Sequence, residues 1–272
     1  MKVTMRRSDF LRIDIGNGLD FIGDIHACYD EFLELLSKLG YVKNNKGLYT
    51  HPNGRKIVSL GDVMSRGPES IKCMLFFLEH VEAGLAYMID SNHGWKIARW
   101  LDGRKVQLRH GDENVEQEFI EYEKTYGKER TKDLKFKLKT LLMNAPSHYI
   151  FTKNNEDKVV CTHAGIKDEY IGKENSRIKD FCRYGDVAGM DDKGKPIRKD
   201  WFKEHKGELL IIWGHDPKRE PLIINNTINI DQGVVFGGKL TAYRYPDEQF
   251  VFVEAKKNYS GKEGLDNPVN KF

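Results

Sequence analysis

The chain has 272 residues, 39% of them hydrophobic and 31% charged, and its 44 basic and 41 acidic side chains leave a formal net charge of +3. That length can bury a sizeable core, and that balance excludes a disordered or collagen-like chain. The surplus of charge is too small to argue for nucleic acid, and no stretch approaches the ~20 apolar residues of a membrane span.

Residues 1–18 read as an extension ahead of a domain spanning 19–255. Asp20-Phe21-Ile22-Gly23 is a short apolar run of buried-strand type that ends at Asp24 and His26. Phe32, Leu35, Leu36 and Leu39 then fall at i, i+3, i+4 and i+7, with Asp30 and Glu31 early and Gly40 past the end, which predicts an amphipathic helix. Ile57-Val58-Ser59-Leu60 is a second strand and leads into Gly61-Asp62-Val63-Met64-Ser65-Arg66-Gly67. Ile71, Met74, Leu75 and Leu78 repeat the helical spacing, with Pro68 placed to open that helix and Gly84 to close it. A third strand, Leu85–Ile89, runs into Ser91-Asn92-His93. Strand, motif and helix recurring in this order predict α/β architecture.

Residues 113–143 are dense in Glu and Lys with an apolar minority, which predicts an inserted helical pair with a solvated face. Val159-Val160-Cys161 leads to Thr162-His163-Ala164-Gly165, and Leu209–Trp213 leads to Gly214-His215. Thr227–Asp231, Leu240–Tyr245 and Phe250–Glu254, separated by Gly and Pro-Asp signals, read as antiparallel strands. The polar residues 256–272 read as a flexible tail.

A lone His or a lone Gly-Asp-x-His says little, because most such residues are packed or solvated. Here each of five apolar runs ends at an Asp, His or Asn, and in α/β sheets ligands collect beyond the carboxyl ends of strands. These residue types in this order suit two divalent ions about 3.5–4 Å apart, which can lower the pKa of a shared water and clamp an in-line phosphoryl displacement. A bridging ligand must be an oxyanion, which suits Asp62. Neutral imidazoles and a carbonyl oxygen suit manganese, iron or zinc better than calcium.

The set resembles the calcineurin-like metallophosphoesterase superfamily, in its phosphoprotein-phosphatase-type branch, from about Asp20 to about Glu254. Further segments are similar to bacterial asymmetric diadenosine-tetraphosphate hydrolases and to the phosphatase module of bacterial polynucleotide kinase-phosphatases. They are Val106–Gly111, Ala145–Tyr149, Tyr184–Val187 with Pro196-Ile197-Arg198, and Asn225–Asp231 continuing through Gly233–Ala242. The resemblance implies an α/β fold, a sandwich of two mixed β-sheets flanked by helices with the helical insertion around 113–143. It implies that Asp24 and His26 hold a first metal, that Asp62 bridges, and that Asn92, His163 and His215 complete the second. Arg66 would grip phosphate, His93 would protonate the leaving oxygen, and Asp231 would lie near the pocket.

The implied activity is two-metal phosphohydrolysis of nucleotide-linked phosphate, foremost a dinucleoside polyphosphate, by attack of a metal-bridging water. Manganese leads the metals, with iron, zinc, cobalt and nickel as alternatives. The competing functions are a polynucleotide end phosphatase or 2′,3′-cyclic phosphodiesterase, a protein phosphatase, and a metal-binding pseudoenzyme. The expected partner is a phosphorylated small molecule or nucleic-acid end, with no membrane and no obligate protein partner. Trp95, Trp100 and Tyr184 are candidates for stacking on a base.

The chain departs from the family pattern where an acidic residue usually stands and it has Ser65, which predicts that His93 lacks its charged partner. Asp90 is the candidate replacement, although its position reads as a solvent-exposed strand end. Ala27 and Ser91 stand where Gly is usual, Gly94-Trp95 follows the third motif, and Asp216 stands for Thr. Cys28, Cys73, Cys161 and Cys182 lack C-x-x-C spacing, and Cys28 reads as a packed thiol. Met1–Arg7 runs into Ser8-Asp9 rather than an apolar segment, so the expectation is no signal peptide and a cytoplasmic setting.

Overall fold

The structure is a computed structural model that describes residues 12–192 and 196–261. In chain order the first elements are β1 (Arg12–Asp14), β2 (Leu19–Ile22), α1 (Tyr29–Leu39), β3 (Val42–Lys43), β4 (Tyr49–Thr50), β5 (Lys56–Ser59), α2 (Ser70–Glu82) and β6 (Ala86–Met88). Then come α3 (Asn92–Leu101), α4 (Glu113–Tyr126), α5 (Lys128–Asn144), β7 (His148–Lys153), β8 (Glu156–Thr162), α6 (Ser176–Tyr184), β9 (Asp186–Met190) and β10 (Pro196–Lys199). The last are β11 (Leu210–Trp213), β12 (Leu222–Ile224), β13 (Thr227–Asn229), β14 (Asp231–Gln232), β15 (Lys239–Tyr245) and β16 (Gln249–Glu254).

Two mixed sheets carry the fold. One has the order β1-β7-β8-β11-β13-β12; the other runs β14-β15-β2-β5-β6, with β16 on β15. Side-chain alternation assigns the layers. Val159 and Cys161 of β8 and Ile212 of β11 face Phe21, Val58 and Ile230 in the core between the sheets. Their neighbours Val160, Ile211 and Trp213 point the other way, onto Ile178 and Cys182 of α6 and onto Trp201 and Phe202. On the outer side of the second sheet, Ile22 and Ile57 pack with Phe32, Leu36, Met74 and Phe77 of α1 and α2. The architecture is the expected sandwich of two mixed sheets flanked by helices.

The insertion is the expected helical pair, α4 and α5, and Phe119, Leu134 and Leu138 join the core formed with α1, α2 and α3. The predicted strand Thr227–Asp231 does not form one strand. It divides into β13 in the first sheet and β14 in the second, with Ile230 between them. Gly23 allows that crossing, because a Cβ there would lie 2.3 Å from the Ile230 carbonyl oxygen.

The predicted terminal segments are partly described. Residues 1–11 and 262–272 lie outside the described residues, whereas β1 pairs in parallel with β7. At the other end, Tyr259 donates to Val235 O at 2.9 Å through its amide and to Glu31 Oε1 at 2.7 Å through its hydroxyl. Among the described residues no helix is long and apolar enough to cross a membrane, and all four cysteines are buried and unpaired.

Candidate metal and phosphate centre

The segments that follow β2, β5, β6, β8 and β11 converge, and they carry Asp24 and His26, Asp62 to Arg66, Asn92 and His93, His163, and His215. The turns are tight enough to force non-glycine residues into left-handed backbone: His26, Ala27, Asp62, Ser65, Arg66 and His215 have φ of 45°, 60°, 44°, 71°, 72° and 70°. Each costs on the order of 1–3 kcal/mol, and strain of this kind gathers where side chains must be aimed. Gly214 is required for packing: a Cβ there would stand 2.3 Å from Asp24 Oδ1.

Two groups of donor atoms, His26–Asp62–His93 and Asp62–His163–His215, each converge within 4.8 Å and share Asp62. The backbone fixes the imidazoles. His163 Nδ1 donates to Leu60 O at 2.8 Å, and His26 Nδ1 donates to Met64 O at 3.2 Å. Each ring therefore turns its Nε2 toward Asp62, at 3.5 and 3.6 Å from Oδ2. Asn92 Oδ1 lies 2.8 Å from His163 Nε2, and His215 Nδ1 lies 3.1 Å from it. Ring orientation is set by carbonyls behind the rings, as in metal-binding histidines. This donor set fits divalent cations.

Electrostatics agree with a place prepared for cations. Burial pushes the Asp24 carboxyl well up, and Asp231 and Asp62 add to it. Burial also raises Asp231 to about 7, with Asp216 adding to the effect. Burial pulls His26 down to about 3, so its ring is neutral. Burial would lower His163 too, yet the Asp62 and Asp24 carboxylates hold it up at about 9. Asp24 does not sit in either converging group; its oxygens accept the backbone N–H of His215 at 3.1 and 3.2 Å. Asp231 Oδ1 accepts the Gly233 N–H at 2.9 Å.

His93 has a carboxylate partner that the sequence reading missed. Its Nδ1 lies 2.5 Å from Asp112 Oδ1, and Lys96 Nζ lies 2.6 Å from Asp112 Oδ2. Asp112 follows Gly111 in a loop, where a lone Asp carries no spacing signal. The usable hint was a site missing its acid at Ser65 and an unexplained Gly-Asp step before a helix. The expectation that His93 lacks a charged partner is therefore corrected. So is the reading of Asp90, which is 4% exposed and bound by Arg183 Nε at 2.7 Å, because α6 covers that strand end.

Arg66 donates from Nη2 to His93 Nε2 at 3.2 Å and stands over the Phe236 ring; its Nε is buried without a hydrogen-bond partner. Ser91, which replaces the usual Gly, has a local role. Its Oγ accepts the Gly94 N–H at the start of α3 and the Asp62 N–H, at 3.1 and 3.0 Å. Of the stacking candidates, Trp100 packs on Phe119, and Trp95 has the guanidinium of Arg183 4.2 Å from its ring centre. Tyr184 is 39% exposed. Cys28 is fully buried in the core, as expected of a packed thiol.

The sequence model of the calcineurin-like phosphoesterase family matches residues 19–252. The bis(5′-nucleosyl)-tetraphosphatase PrpE [asymmetrical] of Oceanobacillus iheyensis is 43% identical over 253 residues, covering 93% of this chain and 98% of the relative. The protein of the same name from Anoxybacillus flavithermus is 43% identical over 242 residues, 88% of this chain and 95% of its own. A crystal structure of a candidate diadenosine tetraphosphatase superposes with a TM-score of 0.61 at 17% identity, covering 90% of this chain and 97% of the other. That last likeness speaks for the fold alone.

Proposed function

The chain belongs to the calcineurin-like phosphoesterase family, and from that premise we propose that it hydrolyses a phosphoanhydride bond of a dinucleoside polyphosphate with two divalent cations, manganese first among them. The observation that carries the reading is Asp62, shared by two converging groups of donors in a chain 43% identical to tetraphosphatases over most of its length. In this reading Asp24, His26, Asp62, Asn92, His163 and His215 hold the metals, which when bound supply Lewis-acid clamping of phosphate oxygens and a more acidic water. Four buried unpaired cysteines support a reducing, cytoplasmic setting.

The chain's own residues supply the rest. Arg66 has no carboxylate partner among the described residues, so an incoming phosphate meets a guanidinium with free donors in bidentate geometry. As Arg66 turns to phosphate, His93 Nε2 is freed to take a proton from solvent and pass it to the departing nucleotide oxygen. Asp231 lies near Asp24, whose carboxyl it helps push up, and its own Oδ1 accepts the Gly233 amide.

The test is a panel assay with manganese on diadenosine tetraphosphate, terminally phosphorylated RNA, a 2′,3′-cyclic phosphate and a phosphoserine peptide. Release of a nucleoside triphosphate with a monophosphate, faster than every other reaction, is the expected result. Faster turnover of the phosphopeptide than of every nucleotide substrate overturns the assignment, and faster RNA-end cleavage transfers it to an end-healing phosphatase.

A further inference from the structure

We propose that Asp112, at the head of the helical insertion, is the positioning residue for His93 and takes over the carboxylate role that Ser65 cannot fill. The inference rests on the reading of the site as a phosphohydrolase centre with His93 as its proton donor. Residues 65 and 112 belong to different segments, one between β5 and α2 and the other just before α4, and Ser65 faces the Asp112 carboxylate that reaches His93 Nδ1.

Three observations carry it. Asp112 is 0% exposed, and a carboxylate is buried at that cost only where it is paired; its partners are His93 Nδ1 at 2.5 Å and Lys96 Nζ at 2.6 Å. An Asp immediately before a helix ordinarily caps it, yet the Asp112 side chain makes no cap bond to α4. Its oxygens serve His93 and Lys96 instead of its own helix. The Ser65 hydroxyl faces the same carboxylate but is buried without a hydrogen bond of ordinary geometry. One acid beside His93 is therefore present, supplied from the opposite segment, and a second would meet it as a like charge.

The chemistry follows from the ring's two nitrogens. Asp112 holds Nδ1–H, which fixes the ring plane and directs Nε2 toward Arg66 and the donor groups. Once Arg66 turns to phosphate, Nε2, which accepts from it at rest, takes a proton from solvent; when the bond between phosphorus and the leaving oxygen breaks, its electron pair stays on that oxygen and takes that proton. The Nδ1 proton remains between the ring and Asp112 and is not transferred. Ion pairing with Lys96 keeps the carboxylate aligned through this cycle.

The experiment moves the carboxylate. Asp112→Asn preserves shape and removes charge; the pair Ser65→Asp with Asp112→Ala returns the acid to the other segment. With metal content matched to wild type, Asp112→Asn is expected to lower kcat on an alkyl phosphate by ~10²-fold or more, the low end of general-acid effects, with KM within threefold. The loss on an aryl phosphate, whose leaving group needs little protonation, is expected to be at least tenfold smaller. The double variant is expected to regain at least tenfold over Asp112→Ala, whereas Ser65→Asp alone gains nothing. A downfield Nδ1 proton resonance of His93 in the zinc-loaded protein is expected to vanish in Asp112→Ala and return in the double variant. Equal losses on both substrates, or a double variant no better than Asp112→Ala by rate and resonance, overturn the inference. Wild type inactive on every phosphate ester overturns the underlying reading instead.

Discussion

Arg198 donates from Nη2 to His215 Nε2 at 2.9 Å, so the other ring nitrogen carries the proton where it faces His163 Nε2 at 3.1 Å. A cation held by the nitrogen that faces His163 would reverse that tautomer and put a proton on Nε2, opposite a guanidinium that can only donate. Arg198 would then need another acceptor. Its nearest carboxylate, Asp216, is 3.8 Å away and already bound by Lys218 at 2.8 Å. Substrate phosphate is the natural one. Hydrogen bonds to charged groups are worth about 1.5–3 kcal/mol, so Arg198→Ala should raise KM for the dinucleoside tetraphosphate roughly 10- to 100-fold. Metal content should not change. A KM within threefold of wild type would show that Arg198 has no part in holding phosphate.

Asp62 is the one carboxylate shared by both donor groups, and the amide of Asn in its place is a poor partner for two cations. Asp62→Asn should lower manganese content from about two ions per chain and remove most of the activity. Ions that bind only the folded state stabilise it by mass action. The increase in Tm that manganese gives wild type should therefore be largely lost in the variant. Full metal occupancy by elemental analysis of Asp62→Asn would refute the shared-ligand assignment.

Ser91 ties the third motif to the second, since one hydroxyl accepts both the Gly94 amide of α3 and the Asp62 amide. Ser91→Ala leaves two buried N–H groups without that acceptor. A lost N-cap costs about 0.5–2 kcal/mol, and the orphaned Asp62 amide adds to it. The expected outcome is a destabilisation of roughly 2 kcal/mol by urea titration together with weaker manganese binding. Ser91→Gly, which restores the residue usual in the family but lacks the same hydroxyl, should weaken manganese binding likewise and lose stability too. Equal metal affinity in Ser91→Ala and wild type would mean that the hydroxyl does not help to position Asp62.

Much of this was legible in the sequence because local pattern and local structure coincide. The apolar runs before Asp24, Asp62, Asn92, His163 and His215 are strands buried on both faces, and such runs stand out without alignment. What the sequence hid was non-local. Asp90 looked exposed because nothing nearby in the chain foretells Arg183, 93 positions away, closing over it. Asp112 looked like a loop acid because its partner His93 is 19 residues back and the contact exists only once the insertion has packed. The division of Thr227–Asp231 between two sheets was hidden for the same reason: the polar–apolar alternation runs through without interruption, and the crossing shows only where Gly23 closely approaches Ile230.

His148 offers a pH test away from the reaction centre. Its ring is buried: Nε2 accepts the Gly172 N–H at 3.0 Å, so Nδ1 carries the proton and faces Ser147 Oγ at 3.0 Å. Burial pulls its pKa from 6.5 down to about 4, so the folded state holds the neutral ring. An unfolded chain binds the proton more readily, and the stabilisation is therefore complete above pH 6.5 and is lost as pH falls toward 4. The drop corresponds to about 3.5 kcal/mol at most, taking ~1.4 kcal/mol per pKa unit. Gln at this position can still accept the Gly172 amide but does not titrate. His148→Gln should consequently be less stable than wild type at pH 7.5 and lose less stability between pH 6.5 and pH 4.5, measured by urea denaturation at fixed ionic strength. Buried acids, whether held near 2 like Asp112 by its bond to His93 or raised by burial like Asp231, are common to both proteins and cancel in the comparison. Parallel stability curves for the two proteins across that interval would show that His148 is not kept neutral by the fold.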